Sequence, residues 1–132
     1  MASDDIHIIC FGNELHGDDG VGPAVHALLA TKRLPSGVRL MRADIAGLAA
    51  IGCFDGCRRA VVVDALRGFG APGSVHDLDA LLRLLPLALA HLPEIHLIGI
   101  EIESTQPFTP GLSHPVAGSI ARAARRVMEH LS

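Results

Sequence analysis

The sequence is poor in aromatic residues: it has no tryptophan, no tyrosine and only four phenylalanines among 132 residues. Hydrophobic residues nevertheless make up 49% of the chain, so the core has to be built from aliphatic side chains. Such cores are typical of parallel sheets that helices cover on both faces. A chain of this length can bury a core as one domain without disulfides or a structural metal.

Several classes of partner are excluded by other absences. The net charge is −3 and no basic run is present, so neither nucleic acid nor an anionic membrane is an expected partner. No apolar stretch approaches the roughly 20 residues that span a bilayer. Residues 1–5 are acidic and lead straight into a strand-like segment, unlike a signal peptide. The three cysteines are therefore expected to be reduced, and the expected location is the cytoplasm.

Apolar, strand-like segments alternate with helical ones along the chain. The pattern predicts strands at Ile6–Phe11, Val38–Met41, Ala60–Ala65, Ser74–Leu78 and Ile95–Ile102. It predicts helices at Gly20–Leu29, Gly47–Phe54, Asp79–Leu92 and Pro115–Leu131, the last capped by Ser113 or His114. The expected fold is a single α/β domain over residues 1–132, with a doubly wound, mostly parallel five-stranded sheet and helices on both faces.

Acidic residues follow two of the predicted strands. Ligands of doubly wound sheets bind beyond the carboxyl ends of the strands, where Asp18, Asp19 and Asp64 are expected. A helix N-cap is the simpler interpretation of Asp18 or Asp19, although both can hardly be caps. Asp64 could cap the following loop. Because it comes directly after three valines, its charge is partly desolvated and favours a partner such as a cation.

Five segments, in order along nearly the whole chain, resemble the nickel–iron hydrogenase maturation endopeptidases. Gly12–Gly22 resembles the opening signature of that family, G-N-x-L-x-x-D-[DE]-x-x-G, and Val62–Ala65 is similar to its V-D-A strand. Gly68–Asp77 resembles the P-G-[ST]-V segment, while Ile98–Glu101 and Gly111–Ser113 match the closing elements. The opening signature carries most of the resemblance.

The resemblance implies an endopeptidase that removes the C-terminal extension of a hydrogenase large-subunit precursor after nickel insertion. Family members hold nickel, which the substrate supplies, with two acids and a histidine. Asp19 falls on the first acidic position and Asp64 on the second, so both are expected to be catalytic residues and metal ligands. Asp18 is expected to support the loop.

The third ligand is harder to place by resemblance. The family has a serine- and histidine-containing loop after the P-G-[ST]-V strand, whereas here Asp79 follows that strand almost at once. His76 is the nearest candidate for the metal ligand, and its alternative interpretation is an edge-strand side chain. His16, inside the acidic loop, is a second candidate.

Two other functions share parts of this pattern. Signalling receiver domains also have an acid pair after the first strand and an Asp at the end of the third. They require a lysine near the end of the last strand, and the one lysine here is Lys32, after the first helix. A non-catalytic nickel-site assembly factor with the same fold is the other alternative, because the loop is shortened.

Overall fold

The computed structural model describes residues 5–43, 52–78, 93–103 and 110–132. One sheet contains five strands in the order β2-β1-β3-β5-β4, of which β4 is antiparallel to β5 and the other pairs are parallel. The strands are β1 (Ile6–Phe11), β2 (Val38–Ala43), β3 (Arg59–Leu66), β4 (Val75–Leu78) and β5 (Glu94–Glu101). The predicted α/β class, a single domain with a mostly parallel five-stranded sheet, is confirmed.

Three α-helices lie in the described part of the chain: α1 (Val21–Leu29), α2 (His114–Ala117) and α3 (Ile120–Glu129). One-turn 3-10 helices occur at Gly17–Gly20 and Gly52–Phe54. Helices α1 and α3 pack against each other on one face of the sheet. No helix among the described residues has the length and apolar character that crossing a bilayer requires.

The side-chain alternation of the strands divides the core into two clusters, one on each face. Ile8, Val61 and Ile98 pack under α1 and α3 on the first face, whereas Ile9 and Val62 pack on the second face. Because successive residues of a strand point to opposite faces, these aliphatic runs bury both faces at once. We call these faces the helix face and the Phe54 face, since Phe54 packs in the second cluster.

The predicted terminal helix, Pro115–Leu131, is wrong in one respect, because two helices occupy this segment. The break falls at Gly118 and Ser119, where the Ser119 side chain is buried and its hydroxyl donates a hydrogen bond to the Val116 carbonyl at 2.6 Å. That local bond competes with the regular helical pattern, which is a known tendency of serine.

Two other predicted helices fall partly or wholly outside the described residues. Of Gly47–Phe54, the described part is the 3-10 turn Gly52–Phe54, and residues 47–51 lie outside the described residues. The predicted helix Asp79–Leu92 lies wholly outside them. The boundaries of the predicted strands are within two residues of those observed.

Candidate functional site

The predicted acidic residues meet at one edge of the sheet. Strands β1 and β3 are adjacent and parallel, with Cys10 opposite Val63, so both strands end at the same edge. The 3-10 turn Gly17–Gly20 follows β1 and contains Asp18 and Asp19, and Asp64 lies near the end of β3. Asp19 is close enough for its negative charge to raise the pKa of Asp64.

Two glycines allow the loop after β1 to turn back on itself. A Cβ atom on Gly12, which has a φ of 137°, would lie 2.1 Å from the carbonyl oxygen of Asp19. A Cβ atom on Gly22 would lie 1.8 Å from the carbonyl oxygen of Phe11. The backbone therefore approaches itself more closely than any other residue type permits, and this holds Asp19 beside the end of β1.

Asp18 has a structural role. Its side chain is buried, and its carboxylate accepts hydrogen bonds from the backbone N–H groups of Glu103 at 2.9 Å and Ser113 at 2.6 Å. The Ser113 hydroxyl also donates to it, at 2.8 Å. Asp18 thus connects the first loop to the segments that follow β5 and precede α2, as the predicted loop-supporting role requires.

Asp19 is oriented by its own loop but remains half-buried. The Asn13 backbone N–H donates to its Oδ2 at 2.9 Å, and its own N–H donates to the His16 carbonyl at 3.1 Å. The Asn13 side chain in turn accepts a hydrogen bond from the Leu15 N–H at 2.9 Å. A short network of backbone hydrogen bonds therefore fixes the direction of the Asp19 carboxylate.

Asp64 lies in a partly buried place close to a second carboxylate. Burial and, to a smaller extent, the charge of Asp19 raise its pKa to about 6, although a hydrogen bond from the Ala65 N–H acts in the opposite direction. That hydrogen bond reaches Asp64 Oδ1 at 2.8 Å. Two carboxylates in a partly desolvated place repel each other, and a divalent cation between them would remove that repulsion.

His76 belongs to the same row of the sheet as Asp64. Asp64 is opposite Gly99 on β5, and Gly99 is opposite His76 on β4. The side chains of Asp64 and His76 therefore both lie on the Phe54 face of the sheet. The space above Gly99 is filled by Leu66, whose Cδ1 would lie 2.0 Å from a Cβ atom placed on Gly99. Leu66 therefore lies in the row between the predicted ligands.

His76 is held by a second, unexpected acid. Its Nε2 lies 3.3 Å from Oε1 of Glu101, a carboxylate that is only 2% exposed and also accepts a hydrogen bond from the Phe69 N–H at 3.0 Å. Glu101 was not among the predicted site residues. The signal was present, since Glu101 is an acid at the end of an apolar strand, just as Asp64 is.

The predicted ligands are not gathered into a ready-made set. Among the described residues, the one group of three metal-ligating side chains with mutually close ligand atoms is Asp77, His96 and His130, at a different place. The alternative ligand His16 is half-buried and directly precedes the 3-10 turn. The assignment of Asp19, Asp64 and His76 to one metal ion stays a prediction.

Known proteins resemble this chain in sequence and in fold. MJ0253 of Methanocaldococcus jannaschii, a protein described as a putative hydrogenase maturation protease, is 31% identical in an alignment that covers 97% of each chain. The chain belongs to the hydrogenase maturation protease family. Family models were compared with the sequence as well, and none matches.

Solved structures of hydrogenase maturation proteases have the same fold. The maturating endopeptidase HybD of Escherichia coli has a TM-score of 0.82 and 24% identity, covering 96% of this chain and 91% of that chain. The hydrogenase 2 maturation peptidase of Thaumarchaeota archaeon SCGC_AB-539-E09 has a TM-score of 0.75 and 27% identity, covering 97% of this chain and 98% of that chain. The chain therefore has the fold of these hydrogenase maturation proteases.

Proposed function

We propose that this protein is the endopeptidase that removes the C-terminal extension of a nickel–iron hydrogenase large-subunit precursor after nickel has been inserted. Nickel enters with the substrate and is the feature that the protease recognises. The observation that carries this proposal is the pairing of Asp19 and Asp64 at the ends of two adjacent strands, where burial and mutual repulsion raise the pKa of Asp64.

Asp19 and Asp64 would complete the coordination of the substrate-borne nickel ion. Carboxylate and imidazole ligands both suit Ni²⁺. Nickel itself would polarise a carbonyl group or a water molecule when bound. Binding of the ion replaces the repulsion between the two carboxylates with attraction, so a precursor without nickel loses this favourable interaction.

His76 is the proposed third ligand, and Glu101 supports it. A carboxylate that accepts a hydrogen bond from Nε2–H fixes the histidine tautomer and leaves Nδ1 as the nitrogen with a free lone pair. Metal-binding histidines generally have such a partner on the other ring nitrogen. In this proposal Glu101 therefore positions His76. The Leu66 side chain, which lies over Gly99 between Asp64 and His76, has to move when the substrate binds.

The surface around the acidic pair suits a polypeptide substrate. Leu15 and Phe69 are large hydrophobic residues that are 53% and 54% exposed, and they lie in the loops that follow β1 and β3. Exposed apolar side chains beside a polar site are typical of surfaces that bind other proteins. The precursor would contact these two side chains while its nickel reaches Asp19 and Asp64.

The proposal is tested by incubating the protein with nickel-loaded and nickel-free large-subunit precursors and measuring intact mass. We expect a C-terminal peptide to be lost only from the loaded precursor, and Asp19→Asn and Asp64→Asn each to slow this loss at least about 100-fold. Asp55→Asn, an exposed acid before β3, is the matched control and should leave processing unchanged. Full processing by a variant lacking both acids would refute the proposal.

The alternative of a nickel-site assembly factor is favoured by one observation. His76 contacts Glu101, and the described residues do not bring it together with Asp19 and Asp64 as a ready three-ligand group. Such a factor would bind the loaded precursor without changing its mass. The same incubation therefore separates the two functions, because the precursor either loses its extension or only forms a complex.

A further inference from the structure

We propose a second metal site, formed by Asp77, His96 and His130, that binds a divalent transition-metal ion such as Zn²⁺ or Ni²⁺. Each residue offers one ligand atom, and these atoms all lie within 4.8 Å of one another. The inference is independent of the proposed function, because none of the three residues belongs to the candidate site described above.

Three different elements bring the ligands together on the helix face of the sheet. Asp77 is on β4 opposite Ile98, and His96 lies two residues before Ile98 on β5, so both side chains point to the same face. His130 directly follows α3, which packs on that face. The residues are therefore held by the sheet register and by helix packing rather than by a loop.

The side chains are already close to a coordinating arrangement. His130 Nε2 lies 2.7 Å from Asp77 Oδ2, and the rings of His96 and His130 stack with their centroids 4.3 Å apart. Ligand atoms in a tetrahedral zinc site are separated by about 3.4 Å, as bond lengths near 2.1 Å require. Small side-chain rotations would bring all three ligand atoms to that spacing around one ion.

The donor set selects a borderline cation. Two neutral imidazoles and one carboxylate suit Zn²⁺ and Ni²⁺ better than Mg²⁺ or Ca²⁺, which prefer oxygen ligands. Three protein ligands leave a coordination position for water, and the site is accessible to it because Asp77 is exposed.

The charged groups next to the three ligands partly balance each other. Glu94 Oε2 lies 3.5 Å from His96 Nε2 and is also paired with Arg59, whose guanidinium donates to the His130 carbonyl at 2.8 Å. The arginine charge opposes cation binding, whereas the Glu94 carboxylate offsets that charge and can orient the His96 ring. The carboxylates of Asp77 and Glu94 together carry two negative charges against the one positive charge of Arg59. The net charge around the site therefore attracts a dication.

This site lies on the opposite face of the sheet from Asp64 and His76, although Asp77 directly follows His76 on β4. His96 and Gly99 are three residues apart on β5, so their positions are separated by about 10 Å along the strand and face opposite sides of the sheet. An ion at the second site would link β4, β5 and the end of α3. We therefore expect it to stabilise the packing of the last helix on the sheet rather than to take part in peptide hydrolysis.

The test is a calorimetric titration of metal-free protein with Zn²⁺ and, separately, with Ni²⁺. The double variant Asp19→Asn/Asp64→Asn is the starting protein, because it removes the carboxylates of the other proposed site. We expect one ion to bind per chain. His96→Ala and His130→Ala should each weaken binding at least about tenfold, since loss of even a group that only supports a ligand commonly costs that much. Asp77→Asn, which keeps the side-chain shape, should do the same.

His114→Ala, at an exposed histidine outside the cluster, is the matched control and should bind as tightly as the starting protein. Circular dichroism of each variant would verify that it is folded, and the absorption spectrum of bound Co²⁺ would report loss of imidazole ligands. Unchanged affinity in His96→Ala and His130→Ala, or no binding of either ion at micromolar concentration, would overturn the proposal.

Discussion

Ionisation of Asp64 opposes folding. The unfolded chain has an ordinary aspartate, whereas burial and the charge of Asp19 raise the pKa of Asp64 in the folded protein to about 6. Between about pH 4 and pH 6 the folded state keeps a proton that the unfolded state has released. Stability is therefore lost as the pH rises through this range, and it is not regained above it.

Replacing Asp64 with asparagine should stabilise the protein at neutral pH. We expect Asp64→Asn to raise the free energy of unfolding by about 1–3 kcal/mol at pH 7.5, since a shift of this size is worth about 3 kcal/mol at most for a half-buried group. The difference from the wild type should grow from about pH 4 to pH 6 and then stay constant. Urea denaturation over this pH range measures it, and a difference independent of pH would contradict the assigned cause.

Loss of the Asp18 carboxylate should lower the free energy of unfolding more than loss of the Ser113 hydroxyl that bonds to it. Asp18→Ala leaves the backbone N–H groups of Glu103 and Ser113 without their acceptor, and we expect a loss of about 2–4 kcal/mol. Ser113→Ala removes only the donated hydroxyl bond and should cost about 1 kcal/mol. Urea denaturation of the two variants would measure both losses. Equal losses in the two variants would show that the backbone hydrogen bonds contribute little.

The positions of Asp18 and Asp64 illustrate what residue types alone can predict. A strand followed by an acid places that acid at the carboxyl end of the sheet, whatever the details of packing. The partners of such acids can lie far along the chain, as the contacts of Asp18 with Ser113 and of Glu101 with His76 show. The position of Glu101 at the end of its strand could be predicted as for Asp64, but its contact with His76, 25 residues away, could not.

At the scale of elements, the row Asp64–Gly99–His76 depends on a glycine in the middle strand. Gly99→Ala should destabilise the protein by about 1–3 kcal/mol, because the new methyl group would overlap Leu66. In a Leu66→Ala background the same change should have almost no effect, since the space is then open. Denaturation of the four proteins forms a double-mutant cycle. Additive effects would show that Leu66 does not occupy this space.

The last helix shows where prediction of elements fails. The apolar pattern of Pro115–Leu131 is helical throughout, and α2 and α3 together cover most of it. The break at Ser119 comes from a buried side chain that bonds to the turn before it, and burial is a property of the tertiary structure. Strand boundaries were easier to predict because long aliphatic runs end where turn residues begin.

At the scale of the whole molecule, the substrate surface can be tested apart from the carboxylates. We expect Leu15→Ser and Phe69→Ser to raise the KM for the nickel-loaded precursor about three- to tenfold each, because each exposed apolar side chain contributes about 1 kcal/mol to association. The kcat should be unchanged, since neither side chain touches the reacting atoms in this proposal. Processing kinetics at varied precursor concentration give both constants.

The stability of these two variants is the control. Their side chains are mostly exposed, so thermal denaturation should show no change beyond about 0.5 kcal/mol. A fall in kcat without a change in KM would place Leu15 or Phe69 in the catalytic step instead of the binding surface.

The fold class was predictable as a whole for a simple physical reason. Buried parallel strands need continuous aliphatic runs, and the chain has few other ways to bury such runs without aromatic residues. The alternation of strands and helices then permits few topologies, since crossovers are right-handed and short. The antiparallel direction of β4 was not predicted, because the residue pattern of a strand does not by itself specify its direction in the sheet.

The two outer strands have a consequence for behaviour at high concentration. Strands β2 and β4 each have one side without a neighbouring strand in the described sheet, and such sides can pair with other chains. Both strands have exposed charged residues, Arg39 and Arg42 on β2 and Asp77 on β4. Any approaching strand would have to bury those charges. This sheet is therefore expected to resist growing into intermolecular aggregates, even though 49% of the residues of the chain are hydrophobic.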